Sequence, residues 1–314
     1  MNLGEYFIFN NYLTLSFTNG KGELAALLAA CLWAIASVLY GIVGQRIPPL
    51  QLNLIKGIVA IAFLALTIWL TGESLSIAPT PILLLCLSGV VGIGLGDTAF
   101  LAAINNLGAR RVLLIGTLAP PITAIAANIF LQEQLNFTAW CGILLTILGV
   151  AWVVTERVAN SEDNTAKSIS KGVIFALLAA MTNAAGTVIS RAAFATGNVT
   201  PLWAALLRLS AAEIILLVGI WLSLKQQISS NFYRPSWRVI LTSCFASFCG
   251  TYLGIWLQQI AIKLTAAGIA STLMQTSPLF VIPLALGIGE KVSWRAIAGV
   301  IIAIVGIGLL FYFK

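Results

Sequence analysis

The second half of this chain repeats the first, and each copy holds an odd number of long apolar segments. A shift of about 150 to 158 positions lays Lys21-Gly22 and Ala29-Ala30 on Lys171-Gly172 and Ala179-Ala180, and Lys56 and Trp69 on Arg208 and Trp221. It also lays Gly92, Gly96, Ala103-Ile104 and Pro120 on Gly250, Gly254, Ala261-Ile262 and Pro278. One residue out of step, Glu133, Gly142 and Gly149 fall on Glu290, Gly299 and Gly306. The apolar runs lie at 22–43, 51–71, 82–104, 111–131 and 137–155, then at 171–190, 202–224, 237–260, 266–288 and 294–313. Most approach the ~20 residues that cross a ~30 Å hydrocarbon core. Five crossings leave the end of a copy on the opposite side of a bilayer from its start. The two copies must then run antiparallel, a build typical of secondary transporters.

With 60% hydrophobic and only 9% charged residues among 314, and a mean hydropathy of +1.00, the chain has too little polar surface for a water-soluble globule. In lipid every backbone donor and acceptor must be satisfied within the structure, and the runs lack the alternation of a barrel, so they must be helices. The expected fold is an all-α integral membrane protein of ten transmembrane helices arranged as two five-helix inverted repeats. Residues 1–20 stand outside the repeat as a tail or an interfacial segment, without the basic start of a cleaved signal peptide. The first repeat is expected at 21–155, a polar linker at 156–170 and the second repeat at 171–314.

Several chemistries drop out. There is no histidine, which excludes imidazole relays, histidine metal sites and Ser/Cys-His catalysis. Cys31, Cys86, Cys141, Cys244 and Cys249 sit singly in apolar runs with neither metal-ligand spacing nor a disulfide rhythm, and read as helix packing. No Gly-rich phosphate loop ending in Lys-Ser/Thr is present, so no metal, no cofactor and no catalytic residue is expected, and concentrative work must draw on a gradient. The net charge of +7 is spread over short loops, which suits anionic lipid head groups better than nucleic acid. The expected partners are the lipid bilayer, a small-molecule solute and a coupling proton or other ion. The oligomeric state is not encoded legibly.

Loop charge suggests an orientation. The side bearing the linker collects eleven Lys and Arg, at 46, 110, 111, 157, 167, 171, 225, 234, 238, 291 and 295; the side bearing both termini collects four, at 21, 191, 263 and 314. The positive-inside rule then puts the linker in the cytoplasm.

The run Gly94-Leu-Gly-Asp97-Thr-Ala-Phe-Leu-Ala-Ala-Ile-Asn-Asn-Leu-Gly108-Ala-Arg-Arg continues through Leu118-Ala-Pro120 and Phe130-Leu-Gln-Glu133 to Gly142 and Leu148-Gly149. It resembles an EamA domain of the drug/metabolite transporter superfamily. Ala261-Ile262 through Thr276-Ser-Pro278, Gly289-Glu290, Gly299 and Val305-Gly306 resemble the same domain again, so the likeness covers about 21–313. The resemblance implies a ten-helix secondary transporter in the plasma or inner membrane with a central cavity between its repeats, and efflux of amino acids, related metabolites or drugs. It also implies both termini in the cytoplasm, opposite to the loop count. A passive channel or facilitator, and a structural membrane protein with no solute path, are the alternatives.

Within this frame certain residues stand out. Asp97 lies deep in the third run, where an ionised carboxylate costs at least ~2.5–3.5 kcal/mol unless it faces a cavity or a cation. Its second-half counterpart is Ile255. Lys56 and Arg208 occupy matching places and either snorkel to head groups or bring positive charge to a carboxylate in the cavity. Asp97 is the candidate for a substrate amine or a proton, or a buried partner for Lys56 or Arg208. Glu213 lies five residues after Arg208, ~140° around the helix, so it needs another partner. Asn183, Thr187 and Ser190, with Trp33 and Tyr40 at the matching places of the first run, offer hydrogen bonds and ring faces. Pro120, Pro121, Pro278 and Pro283 fall inside the fourth and ninth runs as kinks or gating breaks. Gly92 and Gly96, like Gly250 and Gly254, are spaced four apart for close helix packing, with a lesser expectation that one face lines the cavity. Glu133 and Glu290 each precede a helix start, capped by Asn136 or Ser293, and are expected to accept from its free amides or close a gate. Trp69, Trp140, Trp221 and Trp237 read as interface belts.

Overall fold

The computed structural model describes residues 20–44, 49–74, 78–107, 109–156, 166–224, 236–287 and 294–312. The expectations for the tail, for most of the linker and for Glu290 lie outside these residues. Every regular element described is a helix. The first half holds α1 (Lys21–Gly44), α2 (Pro49–Thr71), α3, α4 (Ala109–Gly116), α5 (Ala119–Leu131) and α6 (Phe137–Glu156). The second holds α7 (Ala166–Thr196), α8 (Pro201–Leu224), α9, α10 (Ala267–Met274), α11 (Ser277–Gly287) and α12 (Trp294–Tyr312). Two of these, α3 and α9, are composite rods: Pro79–Gly89, Val90–Leu95 and Gly96–Leu107 in α3, and Trp237–Ala246, Ser247–Leu253 and Gly254–Leu264 in α9.

Proline sets many of the helix starts. Pro49, Pro79 and Pro201 are first residues of α2, α3 and α8, where a missing N–H costs nothing and the fixed φ suits a helix. The same logic revises the expectation for three of the four prolines in the fourth and ninth runs. Pro120 and Pro121 lie in the first turn of α5, and Pro278 is the second residue of α11, so each opens a helix after a break and none of them kinks a continuous one. Only Pro283 lies inside a helix. At the first break the Gly116 carbonyl accepts from Gln275 Nε2 at 2.8 Å, a side chain at the matching break in the other half.

Among the described residues, nine stretches are long and apolar enough to cross a membrane. The run at 266–288 is not among them; there the turn at Gln275-Thr276 separates α10 from α11, as the turn at 117–118 separates α4 from α5. The sixth run extends further than the sequence suggests, to Thr196, which makes Arg191 helical and not a loop charge.

The halves interlock through small residues. A Cβ on Gly149 of α6 would lie 2.4 Å from the Ala303 nitrogen of α12, and one on Gly306 would lie 2.5 Å from the Thr146 nitrogen. The two helices thus come close backbone to backbone at all four glycines of the seam, since a Cβ on Gly142 would lie 3.1 Å from the Gly306 carbonyl oxygen and one on Gly299 3.1 Å from the Gly149 carbonyl oxygen. The other pairs act likewise across the halves: Gly92 sits on Gly186 and Gly96 on Thr182 of α7, while Gly250 sits on Ala36 and Gly254 on Trp33 of α1. In lipid, where no hydrophobic effect drives helices together, such close packing is the main cohesive term. Exposed Trp69, Phe130, Phe137, Trp237 and Trp294 lie near helix ends, as interfacial aromatics do. Trp140 departs from that expectation and packs on a buried cluster to which α1, α5, α6, α9, α10 and α12 contribute.

Candidate substrate cavity

The composite rods place the cavity. In each, a stretch at mid-length is π-helical, the six residues Val90–Leu95 and the seven residues Ser247–Leu253, and these stretches occupy matching positions of the repeat. A π-turn inserts one extra residue into the ladder and leaves backbone groups available to other partners. Gly250 illustrates this, its carbonyl accepting from Trp33 Nε1 at 2.8 Å. Tyr40, two turns along α1, reaches the same stretch, its hydroxyl 3.2 Å from Ser247 Oγ and 3.3 Å from Thr251 Oγ1.

Between the rods lies a cavity of about 490 Å³, and Asp97, Lys56, Arg208, Asn183, Trp33 and Tyr40 all line it. Gly92, Gly96 and Gly250 contribute to its wall as well. The lining also takes in three polar residues with weaker sequence signals, Asn53, Gln258 and Gln275, together with Glu213. Thr187 lines it with its hydroxyl turned to the Asn183 carbonyl at 3.0 Å, whereas Ser190 is buried elsewhere, bonded to Gln259 Oε1 at 2.7 Å. A larger apolar hollow on the α6–α12 surface, beside Trp152 and Arg295, faces outward and holds none of the candidate residues.

The charges in the cavity are unevenly matched. Lys56 Nζ lies 3.6 Å from Asp97 Oδ2, both partly exposed to the cavity, so these two residues of the first half largely neutralise one another. Arg208 is 3% exposed, and among the described residues nothing accepts from its Nε or Nη1. Its backbone carbonyl is pressed against Gly89, where a Cβ would come within 2.0 Å, and its Nη2 would be 3.5 Å from a Cβ on Gly92. The side chain thus reaches the first π-stretch. Glu213, 5% exposed, lays its carboxylate over Gly57, where a Cβ would meet it at once, and leaves Oε2 without a partner.

At one end of the bundle, side chains tie the two halves together. Arg191 Nε donates to Glu133 Oε1 at 2.6 Å, and its Nη1 donates to the last carbonyls of α9, Ile262 at 2.9 Å and Lys263 at 2.6 Å. Glu133 Oε2 in turn accepts from the Ala267 amide at 2.8 Å, at the start of α10. The acid therefore caps a helix of the opposite half; the next helix in sequence, α6, is capped by Asn136, whose Oδ1 accepts from Ala139. Gln132, at φ 55°, makes the left-handed turn that brings Glu133 round. Close by, Lys263 Nζ donates to the Val199 carbonyl and Thr200 Oγ1 to Glu73 Oε2. These bonds join Glu73, just after α2, to the connections at 131–137, 196–201 and 264–267. The cavity lining extends the other way, to Asn53 in the second turn of α2, Phe100 in the last segment of α3, Val112 in the first turn of α4 and Ala176 about three turns into α7.

Known proteins place the fold. A solved crystal structure at 17% sequence identity superposes with a TM-score of 0.78 over 93% of this chain and 96% of that one, which at such low identity speaks for the architecture alone. No curated protein sequence matches significantly. The family comparison is more specific, for the same model fits twice, over residues 20–155 and 170–312, and on that ground the chain, an integral multi-pass membrane protein, belongs to the EamA-like transporter family.

Proposed function

We propose that the protein is a secondary active transporter that moves a small amphipathic solute by alternating access, α10 and α11 together completing a tenth crossing and the two halves inserting in opposite orientations. One observation carries this reading: six candidate residues from α1, α2, α3, α7 and α8 line a single cavity, while away from that lining the Glu133–Arg191 pair ties helix ends of the two halves together, which we read as a closed end. A closed end opposite a cavity of about 490 Å³ is what one half-cycle of such a carrier requires, and a continuous pore would not have it. Trp33, Tyr40 and Asn183 would contact the apolar and hydrogen-bonding parts of the solute, and Lys56 and Arg208 would set the positive charge of the site. Asp97 becomes available to an amine or a proton when Lys56 is drawn away from it. Pro120, Pro121 and Pro278 start helices beside mid-membrane breaks, which are the natural places for the halves to flex. Export of metabolites, amino acids or drugs across the plasma or inner membrane is the direction we favour.

Counterflow in proteoliposomes tests the reading, with the solute first named by comparing metabolites in medium and cells with and without the protein. Labelled solute should accumulate transiently against excess unlabelled solute inside, and a passive facilitator lacking a carrier cycle would give none. Asp97→Asn should change the rate or its pH dependence. If both stay as in the parent, the amine or proton role of Asp97 is wrong.

A further inference from the structure

The duplicated scaffold exposes an imbalance at its centre. In the first half the cation at position 56 has its acid on α3, Asp97. In the second half the matching cation is kept as Arg208, but the place of the acid on α9 is taken by Ile255. Both Ile255 and Arg208 line the cavity. A guanidinium that is 3% exposed, with two nitrogens lacking any acceptor, is expensive to hold unless something negative visits it.

The same helix carries the complementary oddity. Glu213 has no acidic counterpart, since Ile61 occupies the matching place, and its Oε2 is unpartnered. The charged groups around it are Lys56 on α2, Asp97 on α3 and Arg208 on α8 itself, all of which line the cavity. The other titratable side chains on the packed elements are Cys86, some three turns before Asp97 on α3, and, on α9, Arg238, Cys244, Cys249, Lys263 and Tyr252, whose hydroxyl is bonded to Thr67 at 2.7 Å; none of these lines the cavity. Two cations and two acids face one space: with Glu213 ionised the site is neutral, and with Glu213 protonated it carries one net positive charge.

We propose that this cavity takes a solute bearing an anionic group, held by Arg208 where the repeat lacks an acid, and that one proton on Glu213 accompanies each anion. The inference rests on the transporter reading and adds to it the charge of the solute and the identity of the coupling residue. The proton and the anion enter together and leave together, so a cycle moves no net charge. An ionised Glu213 repels the incoming anion, and protonation removes the repulsion.

Binding to the purified full-length protein tests this without any transport assay, with benzoate, benzyl alcohol and benzylammonium as probes that share a ring and differ in charge. Benzoate should raise the unfolding temperature at lower concentration than the other two, and should bind more tightly at mildly acidic than at mildly alkaline pH. Arg208→Gln should weaken benzoate about 10- to 100-fold, the range of a charge-assisted hydrogen bond. The same variant should be at least as heat-stable as the parent when no ligand is added, because an uncompensated buried charge has gone. Glu213→Gln should keep the preference for benzoate and abolish its pH dependence. A preference for benzylammonium, a pH-independent parent, or an Arg208→Gln protein that is less stable yet still binds benzoate would each overturn the proposal. Benzoate binding without solute counterflow would instead sink the transporter reading and leave the anion site standing. Counterflow of a solute with no preference for benzoate would do the reverse.

Discussion

At the level of single residues, the sharpest dependence is between Glu133 and Arg191. Both are buried, at 2.6 Å, and each also serves backbone groups at a helix end. Removing one member of such a pair leaves the other charge unpaired in a dry setting and costs ~3–5 kcal/mol, whereas replacing both with apolar side chains is often close to neutral. Glu133→Ala should therefore lower the unfolding temperature of the detergent-solubilised protein markedly. Glu133→Met combined with Arg191→Met should recover most of the loss, and additive losses would show that the two do not act as a unit. The sequence displayed half of this pair. Glu133 is conspicuous through its match with Glu290, but Arg191 has no charged counterpart and follows an apolar run, so it reads as the first loop residue. What its guanidinium meets is an acid in the connection after α5, a partner no local pattern contains. Asp97 was easier to read, because an acid amid apolar residues announces itself by its cost. Lys56, Arg208 and the aromatics of α1 followed from laying one copy on the other.

Among the helices, legibility tracks how local the cause is. The long apolar runs and their proline-set starts are local, and the helices follow them closely. The π-stretches are not: Val90–Leu95 and Ser247–Leu253 are apolar and small-residue sequences equally compatible with an α-ladder, and the extra residue is absorbed only where the opposite half presses close. The break at Gln275-Thr276 similarly depends on Gln275 reaching the Gly116 carbonyl in the other half. The α6–α12 seam allows a direct test at this scale. Gly149→Ala would thrust a methyl group to 2.4 Å from the Ala303 nitrogen, and since backbone cannot yield as a flexible side chain does, a loss of ~1–3 kcal/mol is expected. Gly308→Ala is the control on the same helix pair, for a Cβ there meets nothing within 4 Å and an alanine favours a helix over glycine by ~1 kcal/mol. Thermal unfolding of the two variants should move in opposite directions. Equal shifts would mean that the seam is not tightly packed in the membrane protein.

For the molecule as a whole, the asymmetry between its ends makes a statement about access. The knot of Glu133, Arg191, Lys263 and Thr200 ties together the connections at Glu73, 131–137, 196–201 and 264–267, while the cavity lining runs toward the ends that carry the linker. After replacement of Cys31, Cys86, Cys141, Cys244 and Cys249, single cysteines placed by Ser37→Cys and Asn183→Cys should react with a membrane-impermeant thiol reagent added on the linker-bearing face. They should be protected from reagent on the other face. Adding Glu133→Ala should open the second route, because the buried Arg191 would then hold the two helix ends without its acid. A cysteine at Ser161 in the linker reports in the same experiment which face of the cell that is. Cytoplasmic labelling there would agree with the eleven basic residues counted on the linker side, and external labelling would agree with the orientation implied by the family resemblance. The choice also fixes what the conformation means for the cycle. A linker in the cytoplasm makes this the state that loads an exported solute, and a linker outside makes it the state that has just released one. If the cavity cysteines label equally from both faces in the parent protein, the knot does not close the path, and the carrier cycle loses its first half.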